Sequence, residues 1–253
     1  MPKTLIVSNP EYTKEKIENF SLNVAEFFMD TIQGEGVYRG YPAAFLRLKN
    51  CTLNCTWCDS TEVWRKGNPY SIEELLLIFE KASLHTLLVD KRYHLIVTGG
   101  SPLLQQKSLV KFFEQYLERF GYVPFIEIEN ECVLKVDPEF ARFISCFNNS
   151  PKLSNSGMRK EVRYKPEVIK DTAHYPHSYF KFVIEQKSDW DIIQQDYLDA
   201  GLIRRNQIIL MPCGSTRQEL NLTQELVVEI SVREKVLFSG RDHVTIWDKK
   251  TGV

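Results

Sequence analysis

The chain has 253 residues, of which 43% are hydrophobic, 12% aromatic and 26% charged; this excludes a disordered chain and supplies enough apolar side chains for one sizeable core. Its 32 basic and 33 acidic side chains leave a formal charge of −1, which argues against a protein that works chiefly by neutralising a phosphate backbone. No apolar run reaches the roughly 18 residues that span a bilayer, and Leu5-Ile6-Val7 is too short for a signal-peptide core. A cytoplasmic chain without a membrane or direct nucleic-acid partner is expected.

At roughly 100–200 residues per domain, and about 250 for a barrel-type α/β domain, a single domain is expected. It would span residues 1–253, since no repeat, low-complexity tract or Pro/Gly/Ser linker marks a boundary. An apolar, β-rich stretch at residues 43–48 runs straight into three cysteines. Ser71-Ile72-Glu73-Glu74 has capping-box spacing and opens an amphipathic helix to about residue 82. Residues 93–98 read as a buried strand ending at Gly99-Gly100, and residues 108–120 as a helix closed by Gly121. Strands are expected at 125–129, 142–147 and 179–185, then a helix at 188–200 stopped by Gly201. A strand at 207–211 ends at Pro212, a helix follows at about 223–235, and the tail at 244–247 reads as extended.

Repeated strand–helix units imply an α/β chain with a parallel sheet and right-handed crossovers. About six such strands fit this length, short of a closed eight-stranded barrel, so an incomplete β/α barrel is expected. Loops after the strands carry function in such folds. The cysteine loop, Gly99-Gly100 and Ser150-Pro151-Lys152 therefore collect on one rim.

Of the six cysteines, Cys132, Cys146 and Cys213 are isolated, while Cys51, Cys55 and Cys58 fall within eight residues as Cys-x3-Cys-x2-Cys. In a reducing compartment that grouping points to a metal or a cluster. Zinc sites usually complete four ligands with a second knuckle or a histidine pair. Here the one close pair, His174 and His177, is interrupted by Pro176 and reads as surface. Three close thiolates suit an iron–sulfur cluster with one iron left open to an exogenous ligand. Structural zinc and plain buried thiols are the alternatives.

Cys-x3-Cys-x2-Cys after a strand, with Trp57 before the last cysteine, resembles the radical S-adenosylmethionine enzymes. The resemblance implies their incomplete barrel and a [4Fe–4S] cluster on Cys51, Cys55 and Cys58. The open iron would take the methionyl amine and carboxylate of S-adenosylmethionine, whose reductive cleavage yields a 5′-deoxyadenosyl radical. The flanks Thr31-Ile32-Gln33-Gly34-Glu35-Gly36, Gly40-x-Pro42-Ala43-x-Phe45-x-Arg47-Leu48 and Asp59-Ser60 narrow the likeness to one branch, the 7-carboxy-7-deazaguanine synthases. It continues through Thr98-Gly99-Gly100, Pro102-Leu103-Leu104-Gln105 and Ser150-Pro151-Lys152, covering residues 27–152 well and the remainder more weakly.

That likeness implies a pterin substrate, 6-carboxy-5,6,7,8-tetrahydropterin: hydrogen leaves C6, the ring contracts, ammonia departs and the hydrogen returns, with Mg²⁺ assisting. It places Ile32, Gln33 and Gly34 at the substrate, whose pterin edge offers donors and acceptors. Arg47 would grip the substrate carboxylate in two-pronged fashion, the partner that an Arg inside an apolar strand needs. Thr98 and Val253 would be further substrate contacts. Trp57, Cys58, Asp59, Gly100, Ser150, Pro151 and Lys152 would touch S-adenosylmethionine, with Gly100 permitting close backbone approach to its amine. Met211-Pro212-Cys213-Gly214 is either a further such segment or a simple strand-end turn. Ser60 would contribute its hydroxyl to Mg²⁺. A reducing partner such as flavodoxin and a homodimer are also implied.

Three departures stand out. Ser101 replaces the acidic residue of the usual Gly-Gly-Glu-Pro, Glu129-Asn130-Glu131-Cys132 replaces Glu-Thr-Asn-Gly, and extra length lies around 157–176. Two rival readings remain. A glycyl-radical-enzyme activase has similar length and cysteine spacing but is disfavoured by the Gln33–Gly36 turn and Asp59-Ser60; a non-catalytic zinc or iron–sulfur module has no use for Arg47 or Thr98.

Overall fold

The computed structural model describes residues 1–9 and 20–253. Among them, ten strands form one sheet: β1 (Lys3–Val7), β2 (Ser21–Ile32), β3 (Pro42–Leu48), β4 (Asn68–Ser71), β5 (His94–Gly99), β6 (Phe125–Asn130), β7 (Cys146–Asn149), β8 (Ser178–Ile184), β9 (Ile208–Pro212) and β10 (Leu237–Phe238). Their order is β1-β2-β3-β5-β6-β7-β8-β9-β10, with β4 beside β2. From β3 through β5 to β10 every pairing is parallel, while β1, β2 and β4 add antiparallel pairs at one edge. The sheet runs from β1 to β10 without closing, as an incomplete barrel requires.

β2 is the largest element that the sequence pattern does not announce. Six successive residues, 24–29, are buried and so occupy both faces, and the apolar–polar alternation of a half-buried strand is missing. Two register shifts against β3 break the pattern further, and Asp30 takes a positive φ of 59° at the second.

Helices pack the sheet into two cores. One joins Leu46, Leu95 and Ile126 to Phe79 of the helix Ile72–Lys81 and to Phe112, Phe113 and Tyr116 of the helix Gln106–Phe120. Phe112 is fully buried, and truncation of such a side chain to Ala costs about 3–5 kcal/mol. The second core joins Phe180, Phe182 and Leu210 to Trp190, Tyr197, Val227 and Ile230. The first of these helices starts at the expected capping box: Ser71 Oγ accepts from Glu74 N at 3.2 Å, and Ser71 N donates to Glu74 Oε2 at 2.7 Å. The second ends at Gly121, whose φ of 78° suits the left-handed cap.

Three expectations are corrected. The strand expected at 142–147 is β7, Cys146–Asn149, because Asp137 caps a helical turn Pro138–Ala141 that uses up the residues before it. The helix expected at 223–235 spans Arg217–Glu234, starting where Thr216 Oγ1 accepts from Glu219 N at 3.1 Å. The tail expected to be extended is a helix, Asp242–Trp247. Arg217 donates to the carbonyls of Thr245 (2.8 Å) and Ile246 (2.6 Å), satisfying the end of that helix from a distant element. No helix among the described residues is long and apolar enough to cross a membrane.

Candidate active site

Because β3 and β5–β9 run parallel, the loops after them share one edge, and there a single cavity opens. Ile32, Gln33, Gly34, Arg47, Cys51, Cys55, Trp57, Cys58, Asp59, Ser60, Thr98, Gly100, Ser150, Lys152 and Val253 all line it. Of the residues assigned from sequence to substrate, S-adenosylmethionine or metal, only Pro151, between two lining residues, does not. Met211 and Gly214 also line it, whereas His174 and His177 lie exposed elsewhere.

The cysteine loop is fastened from three sides. Asn50 N donates to Trp64 O at 3.0 Å, Ser101 N to Asn50 O at 2.8 Å, and Thr56 N to Ser156 O at 3.0 Å. The sulfurs take hydrogen bonds from the chain: Leu53 N reaches Cys51 Sγ at 3.4 Å, Ser101 Oγ reaches it at 3.5 Å, and Trp64 Nε1 reaches Cys58 Sγ at 3.5 Å. Burial pushes the Cys51 and Cys55 thiols up. It also opposes ionisation of Cys58, but hydrogen bonds from Thr61, Trp64 and Ser60 bring that thiol below its ordinary value.

Gly99 and Gly100 are required by the chain itself. Gly99 has φ +136°, and a Cβ on it would overlap the Leu48 carbonyl; a Cβ on Gly100 would overlap the Asn50 carbonyl. Close approach is therefore needed first by the cysteine loop, before any ligand.

The extra length around 157–176 has a structural use. Arg163, buried in the short helix Lys160–Arg163, donates to Lys152 O at 2.9 Å and Met158 O at 3.2 Å, bracing the Ser150–Lys152 loop. Lys152 Nζ donates to Ser150 Oγ at 2.8 Å and sits 5.3 Å from the Trp57 ring centroid.

On the other wall, Gln33 is already engaged at every polar group. Its backbone N donates to Tyr41 O (2.8 Å) and its carbonyl accepts from Gly40 N (2.7 Å). Its Nε2 donates to Glu127 Oε2 at 3.3 Å, and its Oε1 accepts from Glu35 N at 3.2 Å. Glu127 is fully buried and also bonds His94 Nδ1 at 2.6 Å and Asn148 Nδ2. Gln33 thus pins the turn on which Ile32 and Gly34 sit.

Arg47 Nε donates to Glu26 Oε1 at 2.7 Å, and Thr98 Oγ1 to Glu129 Oε2 at 2.5 Å. The buried Arg47 therefore has an acidic partner inside the sheet, on the strand the sequence pattern left unread. Among the described residues only its Nε is bonded, which leaves the Nη1/Nη2 edge for a ligand.

A charged cluster that sequence reasoning missed crosses the cavity. Lys181 of β8 and Arg241 both donate to Glu35; Arg241 reaches Oε1 at 2.8 Å and also donates to Asp59 and the Gly214 carbonyl. His243 Nε2 stands 3.8 Å from Glu35 Oε1, and its ring packs against Gly34, where a Cβ would overlap it. Burial opposes the Glu35 charge, but Lys181, Arg241 and His243 hold its carboxyl well below the usual range. Burial pushes the His243 imidazole down despite Glu35. The one available signal was Lys181, a charge within an apolar strand.

Ser60 stands at the start of the short helix Thr61–Trp64, and its hydroxyl makes no cap bond there but lies 3.7 Å from Cys58 Sγ. Among the described residues no three His, Cys, Asp or Glu side chains converge on one metal ion. A cluster makes a different demand, one thiolate on each of separate irons, and the thiol set with its N–H···S bonds fits that demand.

The 4Fe-4S single cluster domain family matches residues 32–127. The chain is 38% identical over 237 residues to the 7-carboxy-7-deazaguanine synthase of Chlorobaculum tepidum, across 90% of this chain and 94% of that protein. It is 28% identical over 233 residues to the protein of the same name from Pyrobaculum aerophilum, across 91% and 97%. Its fold is similar to the crystal structure of QueE from Escherichia coli, with a TM-score of 0.62 at 20% identity, over 88% of this chain and 95% of that one.

Proposed function

The chain belongs to the 7-carboxy-7-deazaguanine synthase family, and we propose how its own residues divide the work of that reaction. It is a radical S-adenosylmethionine lyase of queuosine-precursor biosynthesis, acting on a small-molecule substrate: 6-carboxy-5,6,7,8-tetrahydropterin is contracted to 7-carboxy-7-deazaguanine with loss of ammonia. The cluster and S-adenosylmethionine, when bound, supply the radical chemistry at C6 of the substrate.

Cys51, Cys55 and Cys58 hold the cluster. The Trp57–Asp59 segment, Gly100 and Ser150-Pro151-Lys152 hold S-adenosylmethionine. One observation carries this division: a single cavity takes in all three thiols together with Arg47, Thr98 and the turn pinned by Gln33. Arg47 binds the substrate carboxylate through its Nη edge while Glu26 fixes the plane of the guanidinium. Thr98, Ile32, Gly34 and Val253 shape the pterin's surroundings, and Ser60 gives one oxygen to Mg²⁺, which seldom takes a full protein cage. The Glu35–Lys181–Arg241–Asp59 cluster ties the substrate turn to the cysteine loop, so both ligands meet a preorganised wall.

The unbroken sheet from β1 to β10 supports reading residues 1–253 as one domain. Half-buried free thiols on the cluster loop suit a reducing, cytoplasmic setting and a reducing partner such as flavodoxin. A homodimer is part of the same proposal, and Leu222 and Val232, 79% and 74% exposed on the helix Arg217–Glu234, are apolar positions that a second copy could cover. Anaerobically reconstituted protein given S-adenosylmethionine, reductant and the pterin should release 7-carboxy-7-deazaguanine and ammonia. Cleavage to 5′-deoxyadenosine with no deazapurine would overturn the substrate assignment.

A further inference from the structure

Ser101 is wholly buried, and its hydroxyl is used up by the cysteine loop: Thr52 N donates to it at 2.9 Å, Thr52 Oγ1 lies 3.1 Å away, and it reaches Cys51 Sγ at 3.5 Å. Position 101 thus offers a ligand no charge. A carboxylate nevertheless stands at the same place, supplied by the loop after β6. Glu131 Oε1 accepts from Thr52 Oγ1 at 2.8 Å, so Glu131, Thr52, Ser101 and Cys51 form one hydrogen-bonded chain. Glu131 is 4% exposed and lines the cavity, and its second oxygen, Oε2, is buried with no partner.

A buried carboxylate oxygen without a donor is costly, and a charged N–H donor relieves that cost best. The nearby cation, Lys152, is committed to Ser150 and the Trp57 face. The pterin carboxylate has the wrong sign. The sulfonium of S-adenosylmethionine carries charge but no proton to donate, whereas its α-amine, held at the open iron, would keep two N–H donors that the metal makes more acidic.

We propose that Glu131 Oε2 accepts an N–H hydrogen bond from the α-amine of S-adenosylmethionine, so that in this chain the acidic contact beside the cluster comes from the β6 loop and not from position 101. This rests on reading the cavity as the S-adenosylmethionine site.

The test is equilibrium binding to cluster-loaded protein, anaerobic and without reductant, using S-adenosylmethionine and its desamino analogue. Glu131→Gln keeps an acceptor for Thr52 and removes the charge. It should bind S-adenosylmethionine about ten- to a hundredfold more weakly, with the desamino analogue, the iron content and the melting temperature unchanged. Glu131→Asp, which keeps the charge, should retain part of the preference for the amine. Equal loss for both ligands, or no loss, would overturn the proposal. So would a loss that persists with the desamino analogue and disappears with a deoxyribose analogue, which would assign Glu131 to the ribose hydroxyls. Wild-type protein that binds its cluster but neither ligand would overturn the reading of the cavity itself.

Discussion

Glu26 and Arg47 stand directly opposite each other on β2 and β3, joined by a 2.7 Å hydrogen bond from Arg47 Nε to Glu26 Oε1. Both side chains are largely buried, at 11% and 18% exposure, so neither can be removed without leaving the other's charge in a poor solvent. Arg47→Ala should therefore lower stability by about 3–5 kcal/mol in urea unfolding. It should also weaken pterin binding about ten- to a hundredfold while S-adenosylmethionine binding changes little. Glu26→Gln separates the two effects, because it loosens the pair yet keeps the guanidinium: stability should fall and most pterin affinity should remain. Equal weakening of both ligands by Arg47→Ala would make Arg47 purely structural.

Replacing Cys51, Cys55 or Cys58 by Ala should abolish cluster binding and S-adenosylmethionine cleavage, because each thiolate serves its own iron. Cys132 and Cys146 are buried and Cys213 half-buried, none of them belongs to the cysteine loop, and burial pushes all three thiols up. Their Ala variants should keep full iron content after anaerobic isolation. Stoichiometric zinc without iron in the wild-type protein would refute the cluster assignment.

Ser60 leaves its hydroxyl uncommitted to the helix it precedes. Ser60→Ala should lower turnover together with its Mg²⁺ dependence, leaving iron content and S-adenosylmethionine affinity intact. Ser60→Thr, which restores the oxygen, should be close to neutral. An Ala variant with undiminished Mg²⁺-stimulated turnover would remove Ser60 from the metal site.

Glu35 carries the pH dependence of the charged cluster. Burial opposes its ionisation, but Lys181, Arg241 and His243 outweigh that and hold its folded pKa well below the unfolded value of 4.5. A depressed carboxyl stabilises the fold above the unfolded pKa, and the contribution fades as pH falls through the lower, folded value. Glu35→Gln leaves Lys181 and Arg241 short of their counter-charge and should cost about 3–5 kcal/mol at neutral pH. The gap between wild type and variant in urea melts should hold through mildly acidic pH and narrow only below the ordinary carboxylate range. A gap that is constant to strong acid would show that the contribution of Glu35 does not come from its charge.

The cluster loop, Gly99-Gly100 and Ser150-Pro151-Lys152 were legible along the chain because each is a short run of residue types placed just after a strand. Parallel topology brings the ends of such strands to one edge, so local spacing was enough to place these segments together. The capping box at Ser71 and the glycine at 121 are local in the same sense. The partners that complete the site are not. Glu35 meets Lys181 across 146 residues and Arg241 across 206, and Arg241 meets Asp59 across 182. No spacing rule links such pairs, since their energy depends on separation through space and on burial that only packing creates. For the same reason the residues around Val244 became a helix, which Arg217 completes from another element, and the Arg47 charge found its acidic partner on β2, buried on both faces and thus without a period to read.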